Sequence, residues 1–212
     1  TYTVQYPGTS PYVVSSGGTI VTVNTDYTIA NEVVWNQTSY STGGGISTLY
    51  SIPTWQSGKG YSYKLYPSGT VTTLTTRGVP DISAMATGYQ FYYSSGNYFG
   101  NFVGTSAVAP LLAGLMGRIN AYSNQRVGFI NLAAYNAPSA FNDITVGNNA
   151  APANVGYSAT TSWDACTGLG SPIGTAVANL FSQVTEPPVY PTYAVGTRPT
   201  EGQIYPRMNN FY

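Results

Sequence analysis

The glycine turn before Ser106 and the apolar run after it constrain the fold of this chain more than any other feature. Gly104 permits a tight turn, and the apolar residues 111–116 follow within a few positions. Pro110 is compatible with a helix only in its first turn, where backbone N–H groups have no intrahelical partner. The pattern therefore predicts a buried helix that begins near Ser106 and runs to about Tyr122.

Two interpretations of Ser106 follow from this position. A serine at the start of a core helix commonly caps the first backbone N–H groups, and the local pattern by itself favours that role. A hydroxyl there also lies at the positive end of the helix dipole, where negative charge is stabilised. Several hydrolase folds present a nucleophile in this way. The rest of the chain has to decide between a cap and a nucleophile.

Charge and composition exclude several classes of function. Charged residues make up only 7% of the 212 residues, with seven basic residues balancing seven acidic ones. No basic patch is available to hold nucleic acid. Histidine is absent, so the chain cannot supply a Ser–His or Cys–His pair or a His-ligated zinc site. A polar, weakly charged surface stays soluble when carboxylates are protonated. This favours an acidic setting in which the protein is secreted or extracellular, for example at a cell surface or on a virion.

Cysteine usage and hydropathy add weaker constraints. Cys166 is the only cysteine, so no internal disulfide is expected and the residue is interpreted as a small buried group. Asn36 opens one glycosylation sequon, which matters only if the chain is exported. No run approaches the roughly 20 apolar residues of a membrane helix. The start of the chain, Thr1–Tyr6, reads as a strand without a signal peptide, so a processed product is expected.

Short strands and helices alternate along residues 1–185, which are interpreted as one domain. The expected features are a strand from Pro11 that enters a turn at Gly17 and Gly18, a strand at 19–23, a strand at 29–35, a loop at 43–45, a loop before a buried strand at 77–84, a Tyr-rich hairpin at 88–100, and helices at 129–135 and 175–184. Residues 186–212 interleave proline with tyrosine, which indicates an extended arm lying on its own domain or on a neighbour.

Seven segments occur in a characteristic order. They are Tyr6–Val13 with Gly17–Thr19, Glu32–Asn36, Ser41–Ser47, Pro53–Gln56, Arg77–Ala84, Gly104–Pro110, and the pair Phe141–Thr145 and Trp163–Pro172. Together they resemble the sedolisins, the serine-carboxyl peptidases. The resemblance implies an α/β fold, with a subtilisin-like parallel sheet flanked by helices, of which residues 1–185 supply the C-terminal part of the catalytic domain.

The resemblance also implies peptide-bond hydrolysis in acid by an endopeptidase. Ser106 would attack the scissile carbonyl, a Glu paired with an Asp would replace histidine as the base, and another Asp would stabilise the oxyanion. Such carboxylate pairs titrate as a unit, and a base of this kind works at low pH. Gly43, Gly44 and Gly45 would line the cleft for a peptide or protein substrate.

The sequence departs from the family where the base is concerned. Family order places the Glu–Asp pair and the oxyanion Asp upstream of Thr1, and no acidic residue here lies on a helix with a second carboxylate four positions away. Three explanations stay open. An N-terminal chain or segment of the same precursor supplies the carboxylates; the sequence is part of a longer chain; or the protein is an inactive structural member of an extracellular or viral assembly, its Pro/Tyr tail joining identical copies.

A calcium site is the other implication of the resemblance. Asp143 and Asp164 would supply carboxylates, while Ile144, Thr160 and Ser162 would supply carbonyl oxygens to Ca²⁺. The last two residues stand where the family carries glycines, which puts the loop geometry in question. The alternative is that the two aspartates only cap turns.

Overall fold

The computed structural model describes residues 4–93 and 96–182, so the tail assigned to 186–212 lies outside the described residues. Strands and helices alternate along this part of the chain. The strands are β1 Ser16–Val23, β2 Ile29–Val34, β3 Asn36–Gln37, β4 Tyr40–Ser41, β5 Gly45–Ser51, β6 Ser62–Tyr66, β7 Val71–Thr73, β8 Thr76–Val79, β9 Ile82–Met85, β10 Tyr89–Tyr93, β11 Asn97–Phe102, β12 Phe141–Asn142, β13 Gly156–Ser158 and β14 Ser171–Pro172. The helices are α1 Thr105–Ser123, α2 Asn131–Asn136 and α3 Gly174–Asn179.

A three-stranded sheet with the order β2-β1-β9 organises the centre of the fold. Strands β1 and β9 are parallel, with Ser16 opposite Ile82, and β2 returns antiparallel to β1. The β-branched residues that predicted a strand at 19–23 lie in β1, and the strand expected at 29–35 is β2. Helix α1 packs against both strands of this parallel pair.

The turn predicted at Gly17 and Gly18 is wrong, because both glycines lie inside β1. A side chain at Gly17 would approach the Ser83 hydroxyl to 2.5 Å, and one at Gly18 would approach the Ala86 methyl to 2.7 Å. The glycines therefore allow close packing of β1 against its neighbours rather than a reversal of the chain. The strand predicted from Pro11 is also absent from the described structure, where residues 11–13 form turns and bends.

Helix α1 packs one face against the sheet and leaves the other uncovered. Val108, Leu112 and Ile119 are buried, whereas Leu111 is 46% exposed. The prediction of a buried helix thus holds for only one face. The helix ends at Asn124, which adopts the left-handed conformation that closes many helices.

The remaining predictions differ mainly in length. The Tyr-rich hairpin expected at 88–100 is β10 and β11, and the two later helices are α2 and the short α3. The buried strand expected within 77–84 is β9, whereas the loop expected before it contains a further strand, β8, and only Pro80 and Asp81 separate the two. No helix in the described part of the chain is both long and apolar enough to cross a membrane.

Candidate functional site

Ser106 lies in the first turn of α1 and is exposed to solvent. The chain reaches it through Gly104, whose φ of 143° and ψ of 150° form a combination that essentially only glycine adopts. The Gly104 N–H donates to the Ala86 carbonyl at 2.7 Å, which ties the turn to the residue that follows β9. No cap hydrogen bond from a side chain is present at this helix start. The geometry therefore does not support the capping role that the local pattern favoured.

The described carboxylates are all engaged away from Ser106. Glu32 accepts hydrogen bonds from the Thr19 and Ser171 hydroxyls at 2.6 and 2.7 Å. The other four described carboxylates also accept hydrogen bonds: Asp26 from Thr28, Asp81 from Arg77, Asp143 from the Ser162 N–H, and Asp164 from several N–H groups. No described carboxylate accepts a hydrogen bond from the Ser106 hydroxyl.

The three candidate glycines of the cleft have different surroundings. Gly43 and Gly44 line a cavity of about 390 Å³ together with Thr105, the neighbour of Ser106. A side chain at Gly43 would meet open space, whereas one at Gly44 would collide with the Ala165 carbonyl. Gly45 has a φ of 144° and packs against the ring of Tyr157. Of the three, Gly43 faces open space and Gly44 and Gly45 are fixed by packing.

A buried ion pair lies where strand β8 connects to strand β9. The Arg77 guanidinium donates to both carboxylate oxygens of Asp81 at 2.6 Å, and both side chains are fully buried. The Tyr135 hydroxyl and the Ser15 N–H also donate to Asp81, at 2.9 and 2.7 Å. The Trp55 ring lies 4.7 Å from the guanidinium. Burial, followed by the nearby Asp81 charge, raises the pKa of Tyr135 well above its usual value, so it stays a donor.

The candidate calcium ligands come together from two loops. Asp143 accepts a hydrogen bond from the Ser162 N–H at 2.6 Å, and Asp164 accepts one from the Thr160 N–H at 3.1 Å. Ile144 follows Asp143 with a buried side chain. Ser162 takes a φ of 70°, the left-handed conformation that glycine would adopt more easily. Thr160, the other residue in a glycine position, is not among the described residues with a positive φ.

The Asp164 carboxylate is fully buried, and no cation among the described residues faces it. Burial is the main cause that raises the pKa of Asp164, N–H donors such as those of Thr160 and Thr167 lower it, the neighbouring Asp143 charge raises it, and the net value is about 7. A buried carboxylate beside a second one is a site where a divalent cation relieves the desolvation cost. In the described part of the chain no group of three or more acidic, histidine or cysteine side chains is clustered, so backbone oxygens would have to complete any coordination shell.

Two features of the described structure were not predicted from the sequence. A second cavity of about 530 Å³ is lined by Ser106 and, among others, by Trp35 and Tyr40. The buried network around Arg77 and Asp81 is the other, and the i, i+4 spacing of these two charges around Pro80 was the one available signal. Trp35 and Tyr40 are distant from Ser106 in the sequence, so no local pattern indicated that they line the same cavity. Cys166 is buried as predicted and donates to the Tyr157 carbonyl.

Comparison with solved structures defines the architecture. Over 84% of this chain, the structure matches the Pseudomonas sedolisin, a serine-carboxyl proteinase complexed with two molecules of pseudo-iodotyrostatin, with a TM-score of 0.70 and 32% identity. The match covers 48% of that protein's chain. The fold is therefore of the α/β, subtilisin-like class, with Ser106 at the start of its central helix.

Comparison with curated proteins gives the same result. The chain is 41% identical to kumamolisin of Bacillus sp. (strain MN-32) over 181 residues, which is 82% of this chain and 31% of kumamolisin. It is 36% identical to sedolisin of Pseudomonas sp. (strain 101), over 81% of this chain and 29% of that protein, and 33% identical to tripeptidyl-peptidase sed1 of Aspergillus fumigatus, over 84% and 30%. No protein-family model matches. The chain belongs to the sedolisin family, of which it represents the C-terminal portion, and it spans about a third of the length of these relatives.

Proposed function

We propose that this chain carries the nucleophile of an acid-active serine-carboxyl endopeptidase. The Ser106 oxygen would attack the scissile carbonyl carbon while its proton passes to a carboxylate base. The C–N bond would then break, the amine would leave with that proton, and water would release the acyl group. The relatives' names support peptide hydrolysis, since they include a serine-carboxyl proteinase and a tripeptidyl-peptidase.

The observation that carries the proposal is the presentation of Ser106. An exposed hydroxyl is delivered to a helix N-terminus by a turn that only glycine can form, and no side chain caps that terminus. A structural serine would not need this arrangement. The described carboxylates are occupied elsewhere and the sequence has no histidine. The Glu–Asp base and the oxyanion Asp would therefore come from an N-terminal chain or segment of the same precursor.

The outer face of α1 supports such a partner segment. Ala109, Pro110, Leu111, Ala113 and Gly114 are apolar and exposed along the helix that carries the nucleophile. An apolar face on a central helix is normally covered by protein. The relatives are about three times as long as the part of them that this chain matches. We expect the segment that supplies the carboxylates to cover this face.

Substrate would bind on both sides of Ser106. The cavity lined by Gly43, Gly44 and Thr105 is the proposed position for the backbone of a peptide or protein substrate, because small residues allow a chain to approach closely. Gly45 packs against Tyr157 and would contribute by fixing the loop.

Peptide hydrolysis by the native protein tests the proposal. Quenched-fluorescence peptides should be cleaved in acid, with little cleavage at neutral pH, and Ser106→Ala should reduce the rate by at least about a thousandfold. Ser123→Ala, at the other end of the same helix, is the matched control and should keep the activity. N-terminal sequencing of the active material should identify a segment that bears the Glu–Asp pair. Activity that survives in Ser106→Ala would refute the role of this serine.

The alternative predicts a different result. An inactive sedolisin-like structural protein of an extracellular or viral assembly would purify as identical copies without a carboxylate-bearing segment, and would cleave no peptide. The tail 186–212 would then be required for assembly, and its deletion would yield smaller particles.

We further propose that Asp143 and Asp164, with carbonyl oxygens of Ile144, Thr160 and Ser162, hold Ca²⁺. The buried, uncompensated Asp164 carboxylate and the left-handed Ser162 support this proposal. The ion would join the loops at 142–145 and 160–168, and its role would be structural. Excess EDTA should lower the melting temperature, and Ca²⁺ but not Mg²⁺ should restore it, because Ca²⁺ accepts irregular shells of oxygen ligands. Asp143→Asn should abolish the response; a melting temperature indifferent to EDTA would count against the site.

A secreted or extracellular setting of low pH fits the proposed chemistry and the low content of charged residues. The sequon at Asn36 lies on the β3–β4 hairpin, with a partly exposed side chain. Mass analysis of the native protein would show whether export leaves a glycan there.

A further inference from the structure

The aromatic cavity beside Ser106 has no role in the bond-breaking steps proposed above. Its volume is about 530 Å³, and its walls combine the apolar side chains of Trp35, Tyr40, Phe102 and Val103 with the uncharged polar residues Ser41, Asn101 and Thr105 and with Gly104. Ser106 lies on its rim. A group bound there would therefore lie directly beside the attacking oxygen.

The walls of this cavity favour an apolar occupant. None of the described residues that line it carries a formal charge. Trp35 is only 5% exposed, and its indole N–H already donates to the Gln37 side chain at 3.2 Å, so the ring offers a surface for packing rather than a free donor. A charged group that entered this cavity would lose hydration without gaining a partner of opposite charge.

Tyr40 is held in place although its ring is largely exposed. The exposed fraction of Tyr40 is 65%, so most of its ring is not used in packing within the fold. Its neighbour Ser41 donates to the Asn149 and Ala151 carbonyls at 2.9 and 2.8 Å. On the paired strand β3, the amide of Asn36, which lies opposite Ser41, donates to the Asn148 side chain at 2.7 Å. A side chain presented on an anchored hairpin can bind a ligand with little additional loss of conformational freedom.

We infer that this cavity, the Trp35–Tyr40 pocket, binds a large apolar side chain of the peptide substrate next to the scissile bond, with an aromatic ring preferred. The inference rests on the proposed peptidase function, because the pocket is continuous with Ser106 and an occupant attached to a peptide would have its backbone at the nucleophile. Tyr40 is the specificity-determining wall, and Trp35 is the floor. Aromatic rings pack against each other edge-to-face or offset, which makes a phenyl ring a better occupant than a methyl group.

Paired peptides test this inference on the native protein. Peptides that differ only in Phe, Leu, Ala or Asp at each position flanking the scissile bond should show one position where Phe exceeds Ala by about tenfold in kcat/KM. Tyr40→Ala should reduce that ratio to about two, and Tyr40→Phe should preserve it. Tyr27→Ala removes a more exposed tyrosine of the β1–β2 turn that does not line the pocket, and it should leave the ratio unchanged.

A binding measurement separates the two proposals. Fluorescence anisotropy with labelled, uncleaved peptides and Ser106→Ala should show the same Phe-over-Ala preference, again lost in Tyr40→Ala. Cleavage without a preference at any flanking position, or a preference that survives Tyr40→Ala, would overturn the pocket and leave the peptidase proposal standing. Binding with a Tyr40-dependent preference but no cleavage by the wild type would confirm the pocket and refute the peptidase. Neither cleavage nor a binding preference would refute both.

Discussion

Replacement of Asp81 by asparagine is the sharpest test of how the connection between β8 and β9 is stabilised. Asp81 and Arg77 are both fully buried and form two hydrogen bonds of 2.6 Å. The substitution keeps the size and shape of the side chain but removes its charge. Arg77 would remain charged, since a guanidinium is not deprotonated in a protein. The variant therefore leaves a buried cation without its counterion.

The expected loss of stability follows from that burial. Removing one partner of a buried ion pair typically costs about 3–5 kcal/mol. We expect the lower part of this range, about 3 kcal/mol, because the amide oxygen of the substituted side chain can still accept from the Ser15 N–H and the Trp55 ring still faces the guanidinium. For a domain of this size, such a loss corresponds to a fall in melting temperature of about 6–12 °C.

Urea unfolding of the native protein, followed by tryptophan fluorescence, measures the effect. Asp26→Asn is the control, because Asp26 is exposed and bonds only to nearby Thr28. The double variant Arg77→Met with Asp81→Asn should be no less stable than Asp81→Asn alone, since it removes the uncompensated charge. If Asp81→Asn were as stable as Asp26→Asn, or if the double variant lost the sum of two large effects, the ion pair would not be what stabilises this connection.

Three other substitutions test single features of the site. Gly44→Ala should lower the free energy of unfolding by about 1–3 kcal/mol because its methyl group collides with the Ala165 carbonyl, whereas Gly43→Ala should leave it unchanged; equal effects would contradict the assigned packing. Gly104→Ala should cost about 1–3 kcal/mol and most of the peptidase activity, since alanine resists the backbone angles that place Ser106; full activity would show that the turn is not needed. In EDTA, the free energy of unfolding should rise as the pH falls from about 7 toward 3.8. Burial raises the pKa of folded Asp164 to about 7, so the folded residue binds a proton in a pH range where the unfolded residue, with a pKa of 3.8, has released it. Asp164→Asn should remove this pH dependence, and an unchanged slope would assign it to another group.

Much of the fold could be predicted from the sequence because its signals are local. The β-branched run of β1 and the Tyr-rich hairpin were recognised from composition and spacing. Gly17 and Gly18 were misinterpreted as a turn, since a glycine pair has the same local pattern whether it reverses a chain or admits close neighbours. The length of α3 was overestimated for a related reason: apolar residues predict helical continuation, whereas the described helix ends at Asn179.

The site was predictable only where one segment carries it. Ser106 and its glycine turn are contiguous, so their arrangement could be predicted from nine residues. The exposure of one face of α1 could not, because apolar spacing shows which residues avoid water but not which partner covers them. Trp35 and Tyr40 approach Ser106 from a distant part of the sequence, and a single sequence contains no signal for such a contact.

The position of Ser106 depends on contacts that this chain makes within itself. Asp81, which comes directly before β9, accepts a hydrogen bond from the Ser15 N–H. Ala86, which comes directly after β9, donates its N–H to the Thr19 carbonyl. The Ala86 carbonyl then accepts from Gly104, so β9 is fixed at both ends before the chain turns into α1. Ser106 and the walls of both cavities are thus held by residues of this chain. No described carboxylate, by contrast, accepts a hydrogen bond from the Ser106 hydroxyl. On the proposed function, substrate binding and bond cleavage should consequently be separable, with binding retained wherever this fold is intact and cleavage restricted to protein that also carries the carboxylates.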